Sequence, residues 1–583
     1  MRDSFQTQEI ESLLSAFHEM KAESDGYLHK RFKETFVHTA VYSDAKTSGK
    51  SLLIGGKGSG KSAILYAHEV EHKNDFVAVA SVTLDDLPFT GIFNFFYSSY
   101  SQSISTLRNN RSEIADMIEI EKVTCYAWKN ALLSSVLLST ANSLANSGQL
   151  QDNESNVIAK IRTVLNEMIG SSTSKSELAE SSQPIYAFLF SYFISLQEKI
   201  EQMILTGESN TPTFLAKITN ALIDQLAEPI EVRLSALAAD LNLILNRLNK
   251  RVYLRLDKFD DYYDKFYQQL DKSASRRSQE RSDRKEFLRS LLEGLVLAAR
   301  DIKDYPEFRN VDVLIAIPLD KYLELGLREQ MDLYRRRVVS IYWSPKELFA
   351  FVNQRIHAAL KLSGPVDQSW HEVFPKTVRN GANKQPEDSF LYVARHSLWK
   401  PREMQMHIYR LFQTMKENRC LALNDDQIRD SIKISCAEII KREFTVEFHK
   451  EYPGIDRLLN QLENVKLKTV MPYSVVCNLI SGVPLADDIT SPDEVLKRLY
   501  KMGIVGIRVV RPSDDRFPFP PTVTQERNII SYRFHHNYPE DSPFAPNSTI
   551  VFHPMFIDKI AATHEVSYII HELKWEMYDD KSG

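Results

Sequence analysis

LLIGGKGSGKSAIL, residues 52–65, passes from a short apolar run through a glycine-rich turn into helical spacing. The turn holds Gly55, Gly56, Gly58 and Gly60, two lysines, Lys57 and Lys61, and no acid. Such a turn suits an anion. Glycines let the backbone curl so that successive N–H groups point inward. The following run, KSAILYAHEVEH, would turn the positive end of a helix dipole toward the same place.

Gly55-Gly56-Lys57-Gly58-Ser59-Gly60-Lys61-Ser62 fits G-x-x-x-x-G-K-[ST] in full. With a strand before it and a helix after it, this is the pattern of a P-loop. Lys61 would reach the β- and γ-phosphates, and the Ser62 hydroxyl would ligate magnesium. A plain glycine hairpin would leave Lys61 and Ser62 without a role. The expected ligands are therefore ATP and Mg2+.

A P-loop needs an acid at the end of a neighbouring buried strand to help hold magnesium. RVYLRLDKFDDYYD supplies one: Val252, Leu254 and Leu256 alternate with Tyr253 and Arg255, and Asp257 ends the run. Many ATPases carry a glutamate directly after this aspartate, and here that position is Lys258. Asp260 and Asp261 follow closely, either to activate water or to cap a helix. This leaves ATP binding better supported than hydrolysis. VDVLIAIPLDKYL, residues 311–323, reads as a buried parallel strand with Asp320 as the polar group near its end. RRRVVSIYW, 335–343, and FVAVASVTL, 76–84, add two more strands. Strands separated by helical stretches imply an α/β fold, a parallel sheet with helices on both faces.

The chain has 583 residues, enough for two to four domains. Hydrophobic residues make up 43% and charged residues 26%, the balance of a globular protein. A net charge of −5 excludes a global basic field, so any nucleic-acid contact has to be a local patch. Cys125, Cys420, Cys436 and Cys477 lie far apart with no CxxC pair, as buried reduced thiols would. The N-terminus is polar and acidic, and no apolar stretch reaches the roughly 20 residues a bilayer needs. A soluble, cytoplasmic protein that spans no membrane is expected.

Residues 88–250 read as mostly helical. Ile230, Leu234, Leu237, Leu241, Leu245 and Leu248 recur at helical spacing, and Ser174–Pro184 reads as a loop. Such a segment either forms a partner surface or packs on the core. Lys272–Glu286 is a charged run just after the magnesium acid, read as a loop or as a contact for nucleic acid or a partner. In the C-terminal third, two helices, the glycine-marked KMGIVGI and two strands follow one another, the order of a winged helix. Its wing mixes Arg508, Arg511, Arg516, Arg527 and Arg533 with Asp514, Asp515 and Glu526, so both DNA contact and a protein dock remain open.

In their order these features resemble the AAA+ and STAND branch of P-loop ATPases. The nearest likeness is to origin-recognition-type ATPases and to bacterial KAP-like and defence-associated ATPases. GGKGSGKS carries most of the resemblance. VYLRLDKFDD, LYRRRVVSIYWSPKELFAFVNQRI and LWKPREMQMHIYRLF add the acids, the join between core and lid, and a lid helix entered at a Pro-Arg pair. LKRLYKMGIVGI with YRFHHNY and IVFHPMF resembles the winged-helix tail of the origin-recognition type. The likeness spans roughly residues 30–75 and 250–417, with that tail.

The resemblance implies a P-loop NTPase core with a large helical insertion, an α-helical lid and a C-terminal winged-helix-like domain. The divisions expected are 1–87 for an N-terminal helix and the first part of the core, 88–250 for the insertion, 251–343 for the second part of the core, 344–418 for the lid and 419–583 for the tail. It also implies that Arg402 touches the γ-phosphate from the lid, and that Arg335, Arg336 or Arg337 acts as a finger toward a neighbouring subunit, since guanidinium binds oxygens in a fork. Such a protein would be a slow or partner-stimulated ATPase. It would act as a switch, in the manner of an antiphage defence ATPase, whose nucleotide state controls assembly as a homo-oligomer or a protein partner at the insertion. The alternative is an ATPase that loads on or remodels duplex DNA. The long gap between the P-loop and Asp257 and the missing glutamate both argue for slow turnover.

Overall fold

Val, Leu and Ile make up residues 52–54 and most of 252–256 and 311–317, and strands so apolar are stable only when both faces are covered. The protein, seen in a computed structural model, meets that demand with five parallel strands between two layers of helix. The structure describes residues 2–18, 28–83 (except 48), 120–170, 188–189, 192, 228–258, 278–302, 306–325, 335–379, 386–511 (except 421, 450, 451, 466, 487 and 488), 529–535 and 544–560. The chain divides into two units. A sheet unit comprises Ala40–Lys57 and Lys61–Ile341. A helical unit comprises Met1–Thr39, Gly58–Gly60 and Tyr342–Gly583.

In the sheet unit the strands are β1 (Leu52–Gly55), β2 (Phe76–Thr83), β3 (Arg251–Asp257), β4 (Val311–Pro318) and β5 (Val338–Ser340). Their order is β2-β3-β4-β1-β5. Gly55 stands beside Pro318, and Leu256 beside Ile315, so the carboxyl ends of β1, β4 and β3 share one rim. Strand alternation sorts the side chains. Leu52, Ile54, Val252, Leu254, Leu256, Val313 and Ile315 enter one apolar cluster with three helices: α5 (Ile120–Ala145), α7 (Glu228–Leu248) and α8 (Ser278–Asp301). Tyr253 points to the other face. There it stacks on Phe76 and packs on His68 of α4 (Lys61–Glu71), and its hydroxyl donates to the Leu65 carbonyl. A small helix, α3 (Ala40–Ala45), precedes β1, and α6 (Asp152–Gly170) follows α5.

The helix expected at 230–248 is present, with Leu234, Leu237, Leu241 and Leu245 buried. Between residues 88 and 250, α5 covers the sheet itself. Its Trp128 indole donates to the Leu291 carbonyl of α8, and Thr124 Oγ1 donates to the Ser290 carbonyl. A Cβ on Gly294 would fall 2.3 Å from Thr124 Oγ1, so only glycine lets α5 and α8 approach this closely. Of the charged run, Ser278 onward is the start of α8 rather than a loop. Residues 272–277 and the loop expected at Ser174–Pro184 lie outside the described residues.

The helical unit gathers α1 (Arg2–Phe17), α2 (Leu28–Thr35), α9 (Pro345–Leu360), α10 (Ser389–Ala394), α11 (Pro401–Glu417) and α12 (Asp425–Ile439). Ile10, Leu13, Leu14 and Phe17 of α1 are buried with Leu348, Phe351 and Leu411. Phe17 packs on Phe412 at 5.5 Å. A two-stranded hairpin, β6 (Thr377–Arg379) with β7 (Pro386–Asp388), precedes α10. Further on come α13 (Ile455–Glu463), β8 (Val470–Pro472), α14 (Tyr473–Ile480), α15 (Pro492–Lys501), β9 (Val505–Arg511), β10 (Ile529–Arg533) and β11 (Thr549–Phe552). The last strands form an antiparallel sheet in the order β10-β9-β11-β8. Arg508 and Arg533 lie on β9 and β10, and Arg511 ends β9. Arg516, Arg527, Asp514, Asp515 and Glu526 fall outside the described residues.

Two buried histidines tie this unit together. His407 on α11 meets Ser435 Oγ through Nδ1 at 2.9 Å and the His396 carbonyl through Nε2 at 3.1 Å. His553, just after β11, accepts from the Met555 N–H at 3.2 Å and packs edge-on against Phe534. Burial holds His407 down at about 4. Burial and, after it, the electrostatic influence of the neighbouring imidazoles of His396 and His407 hold His553 at about 3. Both histidines are therefore neutral in the fold. Their stabilisation is complete above the unfolded value of about 6.5 and is lost as pH falls from there toward the folded values. Thermal denaturation should show a flat midpoint above pH 6.5 and a falling one toward pH 4.5. His407→Gln should show a shallower fall across that range. An equal slope in the two proteins would refute this account.

Candidate functional site

The rim of the sheet unit collects the chemistry read from the sequence. Gly55 closes β1 and the chain turns at once toward α4. Lys61, the first residue of α4, is buried, and its Nζ donates to the carbonyls of Gly55 and Gly56 at 3.1 Å each. The ammonium is thus folded over its own loop, held by peptide oxygens. Ser62 follows on the first turn of α4 and is partly exposed, as is Lys57. Asp257 ends β3, two strands from β1 across β4, or about 10 Å at the usual strand spacing. Asp257 Oδ1 accepts the N–H of Lys258 at 2.8 Å.

Lys258 has a φ of +60°, a left-handed backbone that costs a residue with a Cβ about 1 kcal/mol or more. The chain therefore turns sharply at the position where a glutamate would follow the aspartate in many ATPases. Asp260 and Asp261 lie outside the described residues, as does the side chain of Asp320. Arg335–Arg337 form a 3-10 turn whose last carbonyl accepts from Ser51 N at 3.0 Å, which fastens the turn to the start of β1. Arg336 is exposed and Arg337 half-buried.

The middle of the loop, Gly58–Gly60, groups with the helical unit. Gly58 has φ +76° and Gly60 φ +97°, and the alternation with Ser59 between them makes a concave backbone of the kind that takes anions. Ser59 is only 5% exposed, and its hydroxyl has no partner among the described residues. A buried polar group without a partner is costly, about 1–3 kcal/mol, and a phosphate oxygen is the natural acceptor for it. The chemistry of the loop thus fits a polyphosphate, and Ser62 and Asp257 supply a hydroxyl and a carboxylate at the rim of the sheet unit. Among the described residues there is no group of three His, Cys, Asp or Glu that could hold a metal by itself, and the four cysteines are free.

Arg402 stands on the first turn of α11, after Pro401. Its stem lies along Gly58: a Cβ there would be 3.1 Å from the Arg402 Cβ and 3.3 Å from its Cδ. Of the residues expected to serve the phosphates, Arg402 thus meets the loop directly. Trp343 was not foreseen as a site residue. Its indole Nε1 donates to the Ser59 carbonyl at 2.8 Å. The only trace of it in the sequence was an aromatic residue in the turn YWSP, ahead of α9.

Residues 27–244 match the family model described as ORC-CDC6-like, so the resemblance to origin-recognition-type AAA+ ATPases holds over that span. The match includes the P-loop and runs on through the helical segment to α7, stopping just before β3. The Aeropyrum pernix ORC2 protein, solved as ADPNP–ADP complexes, aligns with 94% of this chain and 96% of its own at 11% identity. Its TM-score of 0.31 is too low to bear on the fold. No curated protein matches the chain. Among the described residues no helix is long and apolar enough to cross a membrane.

Gly58→Ala should disturb the site twice over. The left-handed φ costs an alanine about 1–2 kcal/mol, and the new methyl displaces the Arg402 stem. The expected result is weaker binding of a fluorescent ATP analogue, with the thermal midpoint of the nucleotide-free protein lowered by a few degrees at most. Undiminished binding would show that Gly58 needs neither its φ nor its lack of a side chain.

Proposed function

We propose that the protein is an ATP-binding switch of the AAA+ type. One observation carries this reading: the left-handed Gly58 and Gly60 flank a buried Ser59 hydroxyl that has no partner among the described residues, while Lys61 donates to the carbonyls of Gly55 and Gly56. These residues suit the phosphates of a nucleotide, and Ser62 with Asp257 suit its magnesium. Bound magnesium would supply charge neutralisation at the phosphate oxygens. Arg402 holds a permanent positive charge on the lid helix, next to the loop. It would therefore favour a lid position that depends on the phosphates present, and this makes the nucleotide a signal as well as a substrate.

Hydrolysis would be slow in this scheme. Lys258 takes the place of the usual glutamate, and a cation there cannot take a proton from water. Arg336, exposed on its turn, is available to a second copy of the chain. Assembly would then be the readout of the switch.

A second reading gives the C-terminal elements a share. The order β8, α14, α15, β9, β10, β11 suits a winged helix, which supports DNA loading or remodelling as the output.

The test is ATP turnover by wild type, Lys61→Ala and Asp257→Asn, with and without duplex DNA, with particle mass recorded alongside. The switch reading expects slow turnover indifferent to DNA, ATP-dependent assembly of the wild type, and loss of both in Lys61→Ala. Turnover that DNA raises severalfold, in a manner weakened by salt, would favour the second reading. Absence of nucleotide binding in the wild type would sink both.

A further inference from the structure

We infer that Trp343 is a positioning residue for the phosphate cradle, acting through the Ser59–Gly60 peptide. This rests on the reading of the loop as a nucleotide site. The indole Nε1 donates to the Ser59 carbonyl at 2.8 Å, and the ring edge lies 3.8 Å from where a Gly60 Cβ would be. The peptide between Ser59 and Gly60 is trans. In a trans peptide the carbonyl and the following N–H point in opposite directions. Fixing the Ser59 oxygen on one side therefore fixes the Gly60 N–H on the other, the side away from the indole. A glycine at φ +97° has wide rotational freedom, so without such an anchor this plane is free to swing.

Trp343 is itself held on both sides. Its ring meets Phe351 of α9 edge-on at 5.7 Å. The next residue, Ser344, caps α9: its Oγ accepts from Glu347 N at 3.2 Å, while Glu347 Oε2 accepts from Ser344 N at 2.9 Å. A capping box fixes the entry of the chain into the helix, so the indole is aimed before any ligand arrives. The cost of ordering the loop peptide is thereby met in the free protein, which raises affinity for phosphate.

The test uses the full chain and two probes, a fluorescent ATP analogue and inorganic pyrophosphate as its competitor. Trp343→Phe keeps a ring and removes the donor. It should weaken both probes by the same factor, about three- to tenfold, the worth of one hydrogen bond. The melting midpoint without nucleotide should fall by no more than the few degrees that one hydrogen bond is worth. If the variant melts early, both affinities are measured at a temperature well below its midpoint, where it is folded. Weakening of the ATP analogue alone, with pyrophosphate unaffected, would mean that the ring serves the base and would overturn the proposal. Unchanged affinity for both probes would overturn it too, with the nucleotide site intact. If the wild type binds neither probe, like Lys61→Ala, the nucleotide reading fails, and the proposal with it.

Discussion

The parallel pairing of β1 with β4 on one side and β5 on the other is the interaction on which the rest of the protein depends. It places Gly55 at the same rim as Pro318, and β4 in turn places Asp257 there through β3. Parallel strands are buried on both faces, so the pairing also dictates the helices above and below. The loop after β1 can be rich in glycine and poor in contacts of its own because the strand before it is rigid. Contacts that hold its shape include Lys61 on two carbonyls, Trp343 on a third, and the Arg402 stem along Gly58.

The strands and the P-loop were legible in the sequence because both are written locally. Val252, Leu254 and Leu256 alternate, Val313–Ile317 are uniformly apolar, and GGKGSGKS has a spacing that little else explains. Helix α11 was legible from Pro401, a residue that favours the first turn. Features that depend on distant partners were not. Residues 120–145 are apolar around most of their circumference, the mark of a helix buried on all sides. The periodicity says nothing of what buries it, and the structure supplies β2, β3 and α8. The charged run after residue 272 has the composition of a loop, yet from Ser278 it opens a long helix whose apolar half comes later in the chain.

The N-terminus shows the same limit from another side. Its acidic, polar composition hid a stripe of Ile10, Leu13, Leu14 and Phe17, three and four residues apart, which α1 buries against α9 and α11. The pattern was present but faint, because glutamate and serine fill the other positions. Trp343 was harder still. An aromatic residue at the end of a short strand is ordinary core composition, and only the position of the Ser59 carbonyl turns it into a donor with a task.

The order of strands has a consequence for how the protein is made. β1 lies near the start of the chain, but its neighbours in the sheet, β4 and β5, are among the last parts of the sheet unit to be synthesised. Contacts between segments so far apart form late, because the chain entropy of closing so large a loop precedes any gain from pairing. A nascent chain that has only reached residue 300 holds the whole glycine motif and neither strand that frames it. The motif gains its geometry only when the ribosome has moved past Ser340, so a truncated product would carry the motif without its shape.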